Sequence, residues 1–109
     1  MDPTTSGTSA HLALGYYFYP TANCSSSTCQ LSVGFVSSQD GGASWSAPQT
    51  LAGPMTLSWI ASTTQGRMVG DYMSTSFDAN GLAHGVFGTA DALPIDRVRD
   101  IIARHKRAQ

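Results

Sequence analysis

Residues 38–45 read Ser-Gln-Asp-Gly-Gly-Ala-Ser-Trp, set between a segment ending Gly-Phe-Val and one continuing Ser-Ala-Pro. The octet, set between two strand-like segments, is expected to turn one β-strand into the next. Asp40 supplies a carboxylate that accepts backbone N–H groups where the strand ladder has ended. Ser38 can bond into the same loop. Gly42, with Gly41 beside it, takes positive φ without a Cβ penalty. Trp45 re-enters the sheet, and its ring is expected to be buried under the turn. None of these roles requires a substrate.

The flanking segments read the same way. Residues 11–19 are dense in aromatics, lack a helical period and stop at Pro20, which predicts a buried strand. Residues 30–37 alternate, with Leu31, Val33 and Phe35 on one face, and predict a second strand. A third is expected from about Trp45 to Leu51, broken by Gly53-Pro54. A brief extended stretch is expected around Leu57 and Trp59. Residues 67–77 and 82–89 predict two more strands, joined by Asp78-Ala79-Asn80-Gly81, where Asn-Gly signals a hairpin. The fold class is therefore all-β, an antiparallel meander. The expected division is 8–89 for the sheets, with an Asp40 hairpin over 31–51 and a second sheet over 67–89, and 92–109 for a tail.

The composition suits that class. Charged residues are 12% of the 109 and Glu is absent, so Ser, Thr and Gly fill the polar positions, as in secreted β-proteins. A net charge of −1 gives no electrostatic footprint for nucleic acid, and no apolar run is long enough to span a bilayer as a helix. Neither a nucleic-acid nor a membrane partner is expected. Cys24 and Cys29 flank Ser-Ser-Ser-Thr. A local disulfide fits this spacing, with free thiols as the alternative; a metal site would need further ligands nearby. A disulfide implies an oxidising compartment, so the parent protein is expected to be secreted or extracytoplasmic. Met1-Asp2-Pro3 opens without a signal peptide, so an export signal is expected upstream, with Met1 not the natural start. No cofactor or metal is implied, since His11, His84 and His105 are scattered.

From about Ala92 the pattern changes. Leu93, Ile95, Val98, Ile101, Ile102 and His105 fall at helical spacing. Asp96 and Asp100 lie early and Arg104, Lys106 and Arg107 late, which suits the helix dipole. This predicts an amphipathic C-terminal helix near 94–107. Three readings stand open for it: a helix docked on a sheet edge, a partner-binding element, or a shifted reading frame after Thr89.

The run Gly-Phe-Val-Ser-Ser-Gln-Asp-Gly-Gly-Ala-Ser-Trp-Ser-Ala-Pro-Gln-Thr-Leu, followed by Gly-Arg-Met-Val-Gly-Asp-Tyr-Met-Ser-Thr-Ser-Phe, resembles late blades of bacterial secreted sialidase-like proteins. Its octet resembles their Asp-box, or BNR repeat. The resemblance covers roughly residues 8–89. It implies a six-bladed propeller, of which a chain this long holds about two blades at ~40–45 residues each. Family members with sialidase activity bind the substrate carboxylate with three arginines and use a Tyr–Glu nucleophile and an Asp acid/base. Here Arg67 is the only Lys or Arg before residue 97, and there is no Glu. Asp71 and Tyr72 are adjacent, so on a regular strand they face opposite ways. Arg67, Asp71 and Tyr72 remain the catalytic candidates, against structural roles for each. His84 reads as a hydrogen-bonded sheet histidine. Asn23-Cys24-Ser25 fits a glycosylation sequon, idle in a bacterial setting with a bonded cysteine.

The reading that follows is a non-catalytic C-terminal fragment of an exported sialidase-like propeller, structural or glycan-binding in its full form. The alternatives are a glycoside hydrolase segment completed by other blades, and a module that self-associates through open sheet edges.

Overall fold

The computed structural model describes residues 1–69, 73–92 and, as backbone, 102–108. Eight strands carry the described chain: β1 (Leu12–Phe18), β2 (Gln30–Ser38), β3 (Gln49–Thr56), β4 (Ala61–Thr63), β5 (Gly66–Met68), β6 (Ser74–Phe77), β7 (Ala83–Thr89) and β8 (Ile102–Ala108). They form antiparallel sheets in the orders β1-β2-β3, β4-β5 and β6-β7-β8. The described residues are mostly β, in antiparallel sheets, consistent with the all-β class that the sequence pattern predicts.

The period-two pattern of β2 sets the core. Val33 is fully buried and Phe35 is 2% exposed. Val33 clusters with Met55, Ile60, Phe87 and Ala90, and Phe35 with Ala83. These residues bring the inner face of β1–β3 against β6 and β7. On β1, Tyr17 packs on the first cluster and Ala13 on the second. On β7, burial falls on Ala83, Gly85, Phe87 and Thr89, every second residue. Each fully buried apolar side chain of this size contributes roughly 1.5–3 kcal/mol. Polar ties also cross the interface. The Tyr17 hydroxyl donates to the Gly88 carbonyl at 2.8 Å, and the Ala90 amide donates to the Met55 sulfur at 3.2 Å. Burial pushes the Tyr17 phenol above its usual pKa.

On the other face, Tyr16 is paired in register with Gly34, and its ring occupies the space a side chain there would need. That explains why β2 is buried on both faces from Ser32 to Phe35.

Several boundaries differ from the sequence reading. The third strand begins at Gln49 rather than Trp45 and runs through Gly53-Pro54 to Thr56. The register against β2 shifts between Leu31 and Gly34, so the proline sits at an irregularity on what is, among the described residues, an outer strand. The stretch around Leu57 and Trp59 is a short 3-10 turn, Leu57–Trp59, rather than extended chain. The strand expected over 67–77 is divided into β5 and β6, with 70–72 outside the described residues. The hairpin β4–β5 was not anticipated, since its strands have three residues each and Ala61–Thr63 is exposed throughout.

The expected helix near 94–107 is corrected where the chain is described. Residues 102–108 form a strand that pairs with β7, from Ala83↔Ala108 to Thr89↔Ile102. Its first part, 93–101, lies outside the described residues. The physical reason is that a short helix is marginal in water on its own, whereas the open edge of β7 offers a full row of unpaired N–H and C=O groups.

Candidate functional site

Two places carry the residues singled out in the sequence: the loop at 38–45 and a cleft beside the disulfide. In the loop, β2 delivers Ser38 at its last position, and the chain turns back toward β3. Asp40 Oδ1 accepts from the Ser44 amide at 2.8 Å and from the Ser38 hydroxyl at 2.8 Å. Asp40 Oδ2 accepts the Ser44 hydroxyl. Ser38 Oγ in turn accepts from the Gly42 amide at 2.9 Å. The Ser44 hydroxyl, then the Ser44 amide and the Ser38 hydroxyl, hold the Asp40 carboxyl down to about 2. Beyond the loop, the Ser46 amide donates to the Ser37 carbonyl at 2.8 Å and the Ser37 amide donates to Ser46 Oγ at 2.9 Å, so the strands stay zipped past Gln49.

Trp45 corrects the sequence reading. It was expected to be largely buried under the turn, and it is 46% exposed. One edge of the ring lies over Gly42, with Cζ2 3.6 Å from where a Cβ would stand. The strand begins four residues later than expected, so Trp45 stays in the loop instead of being carried into the sheet.

The N-terminal segment supports this loop. The Gly41 amide donates to the Ala10 carbonyl at 3.0 Å. The Asp2 amide donates to the His11 carbonyl at 2.9 Å, while the Asp2 carboxylate accepts the amide and hydroxyl of Thr4. Those Thr4 bonds, the amide's first, hold the Asp2 carboxyl below its ordinary pKa. Residues 2–11 therefore form a strap across the loop end of the sheets. The Asp-x-Thr pattern of an Asx turn is the one cue in the sequence that could have marked it.

The cleft beside the disulfide has a volume of about 500 Å³. Cys24 and Cys29 are bridged, with Cα atoms 4.9 Å apart. Their loop is closed further by the Cys29 amide on the Ser25 carbonyl at 2.8 Å and the Ser25 amide on Thr28 Oγ1 at 2.8 Å. The cleft walls include Leu31, Leu57, Ile60 and Val69, with Tyr19 and Arg67 at the margin. Arg67 lies on β5 opposite Ser62 and donates from Nη1 to the Ile60 carbonyl at 2.9 Å. Its guanidinium thereby fastens β5 to the turn before β4. Asp71 and Tyr72, the other catalytic candidates, lie outside the described residues.

His84 is bonded to Asp78, Nε2 to Oδ2 at 2.9 Å. The Asp78 carboxylate also accepts the amides of Asn80 and Leu82. His84 first, then the Leu82 amide, bring the Asp78 carboxyl down to about 2. Among the described residues, no three His, Cys or Asp side chains converge as a metal-ligand set. Comparison with protein-family models, curated proteins and solved structures finds no match to this chain.

Proposed function

We propose that this chain is a non-catalytic portion of an exported sialidase-like propeller of the BNR-repeat type, structural or glycan-binding in its full form. The observation that carries the reading is how the Asp40 carboxylate is used. Both of its oxygens bind the loop that contains it, through Ser38 and Ser44. A carboxylate held ionised by its own loop has neither the raised pKa of a general acid nor a free face toward a ligand. The Arg67 guanidinium is likewise engaged with a backbone carbonyl, and recognition of a sialic acid carboxylate favours several directed guanidinium groups. The disulfide is in keeping with an oxidising compartment.

A fluorogenic sialoside assay on pure protein tests the reading, with no turnover expected. Turnover abolished in both Arg67→Ala and Tyr72→Phe would overturn it and favour a glycosidase segment. A second reading, self-association, draws on β3, which is the outer strand of its sheet among the described residues. An unpaired edge is a template for another chain. The native mass in solution separates the two, since a single-chain mass excludes self-association.

A further inference from the structure

We propose that Trp45 and the serines around it form a binding platform for a neutral pyranose sugar. The proposal deepens the glycan-binding half of the reading above but uses a different part of the molecule. It starts from the misplaced tryptophan. A large aromatic ring left 46% exposed at a loop is costly unless something covers it. The ring borders an open cleft of about 320 Å³ whose other walls are Ser37, Ser38, Gln39, Ser44 and Ser46. Every polar wall is a hydroxyl or an amide, and none carries a charge.

The hydroxyls are already oriented. Ser44 donates to Asp40, which fixes its proton inward and leaves its oxygen lone pairs as acceptors, while Ser38 Oγ is engaged within the loop by Asp40 and the Gly42 amide. Ser46 Oγ is held by the Ser37 amide. Gln39 is exposed, and its side-chain amide has no hydrogen-bond partner among the described residues. It can both donate and accept. A pyranose matches this set on both of its surfaces. Its axial C–H bonds, weakly positive, lie on the negative face of the indole, and its hydroxyls alternate donor and acceptor against Gln39 and the serines. Such a mix of one apolar wall and a few fixed polar groups is the usual make-up of a small-ligand site.

Charge selects against an acidic sugar here. The cleft holds no cation, and the Asp40 carboxylate beneath it is ionised at neutral pH. Arg67 lines the separate cleft at the disulfide. The platform is therefore a site for neutral residues of a glycan, and its ligand preference is opposite to that of a sialic acid site. A monosaccharide of about a dozen heavy atoms reaches millimolar affinity at ordinary ligand efficiency.

The test is a titration of the full chain, labelled with nitrogen-15, with methyl glycosides of glucose, galactose and mannose, and separately with sialyllactose. The indole N–H signals of Trp45 and Trp59 are followed, assigned with Trp59→Phe. The expected result is a saturating shift of Trp45 with at least one neutral glycoside. That affinity should fall by at least about tenfold in Trp45→Ala and severalfold in Gln39→Ala, with the remaining spectrum unchanged as evidence of folding. Trp45→Phe, which keeps an aromatic face, should retain part of the binding. No Trp45 shift with any of the three glycosides up to about 50 mM, well above the millimolar range, overturns the proposal. So does binding that survives loss of Trp45. The sialoside turnover assay is unaffected by any of these results, so the two readings fail separately.

Discussion

The two aspartate turns, at 38–45 and 78–82, reach the same carboxyl state by different routes. Asp40 takes its partners from its own loop, chiefly Ser44 and Ser38. Asp78 takes the amides of Asn80 and Leu82 and then reaches out of the turn to His84 on β7. Both carboxyls are held at about 2. Their surroundings differ more than their electrostatics. Gly41 is pressed against the N-terminal strap, and a Cβ there would stand 2.6 Å from the Gly7 carbonyl oxygen. Gly81 faces only the end of the Asp2 side chain, at 3.7 Å. The same carboxyl state can thus sit in a tightly fitted turn and in a roomy one.

The largest effect should come from breaking that asymmetry directly. Both glycines lie at positive φ, 70° for Gly41 and 76° for Gly81, so alanine at either costs about 1–2 kcal/mol in backbone conformation. At Gly41 the overlap with backbone adds strain, and Gly41→Ala should lose about 3 kcal/mol in all. Gly81→Ala should lose about 1 kcal/mol. Urea unfolding of the two variants measures the difference, and equal losses would remove the distinction between the turns.

The covalently closed loop comes next. Cys24→Ser with Cys29→Ser should cost ~2 kcal/mol, the closure entropy of a loop this short. The titrations of Asp40 and Asp78 should not move, because neither turn touches the bridge. Two titratable thiols in oxidised wild-type protein would contradict the bridge itself. Trp45→Ala should cost only ~1 kcal/mol, in line with a half-exposed ring. A loss of ~3–5 kcal/mol, the range for a fully buried aromatic, would mean the ring is covered in solution.

The finest test is protonation. Both folded carboxyl pKa values lie below the unfolded value of about 3.9. Their contribution to stability is therefore complete above about pH 4 and lost as pH falls through about 2. His84→Ala should raise the Asp78 pKa and leave Asp40 where it is. Carbon-13 titration of the two carboxyls reads this, and an unmoved Asp78 would exclude His84 as its main partner.

These contrasts mark how far the residues alone could lead. The octet at 38–45 announced a carboxylate closing a loop, and the Ser44 amide is the contact it found. Alternation announced Val33 and Phe35, although the partners that bury them, Phe87 and Ala83, lie far along the chain; Asn-Gly announced the β6–β7 hairpin, which rests on neighbours close in the chain. The burial of Trp45 was misjudged because its strand starts at Gln49, and the start depends on the Ser37–Ser46 zipper. Gly53-Pro54 read as a breaker because a proline stops an inner strand, and nothing local says that β3 is an outer one. The strap at 2–11 was missed because its partners, Gly41 and the Gly81 turn, are far along the chain. At Ile102–Ala108 the helical spacing was real, yet the open edge of β7 offered what an isolated helix lacks. In the candidate site, Arg67 was singled out for its charge, while its bond to Ile60 depends on a hairpin of three-residue strands.

The Tyr17–Gly88 bond, spanning 71 residues, carries a meaning for the order of events in time. Hairpins such as β2–β3 and β6–β7 need only short closures, and form in about 1–10 μs. Joining the sheets means closing a much longer loop, an entropic cost that must be met before any inter-sheet contact rewards it. Hairpin closure can therefore precede the meeting of the sheets. In the interval the faces that become the core, with Val33 on one side and Phe87 on the other, stand open to water and to other chains. Synthesis at low temperature or at low concentration would lengthen the odds against wrong encounters in that interval.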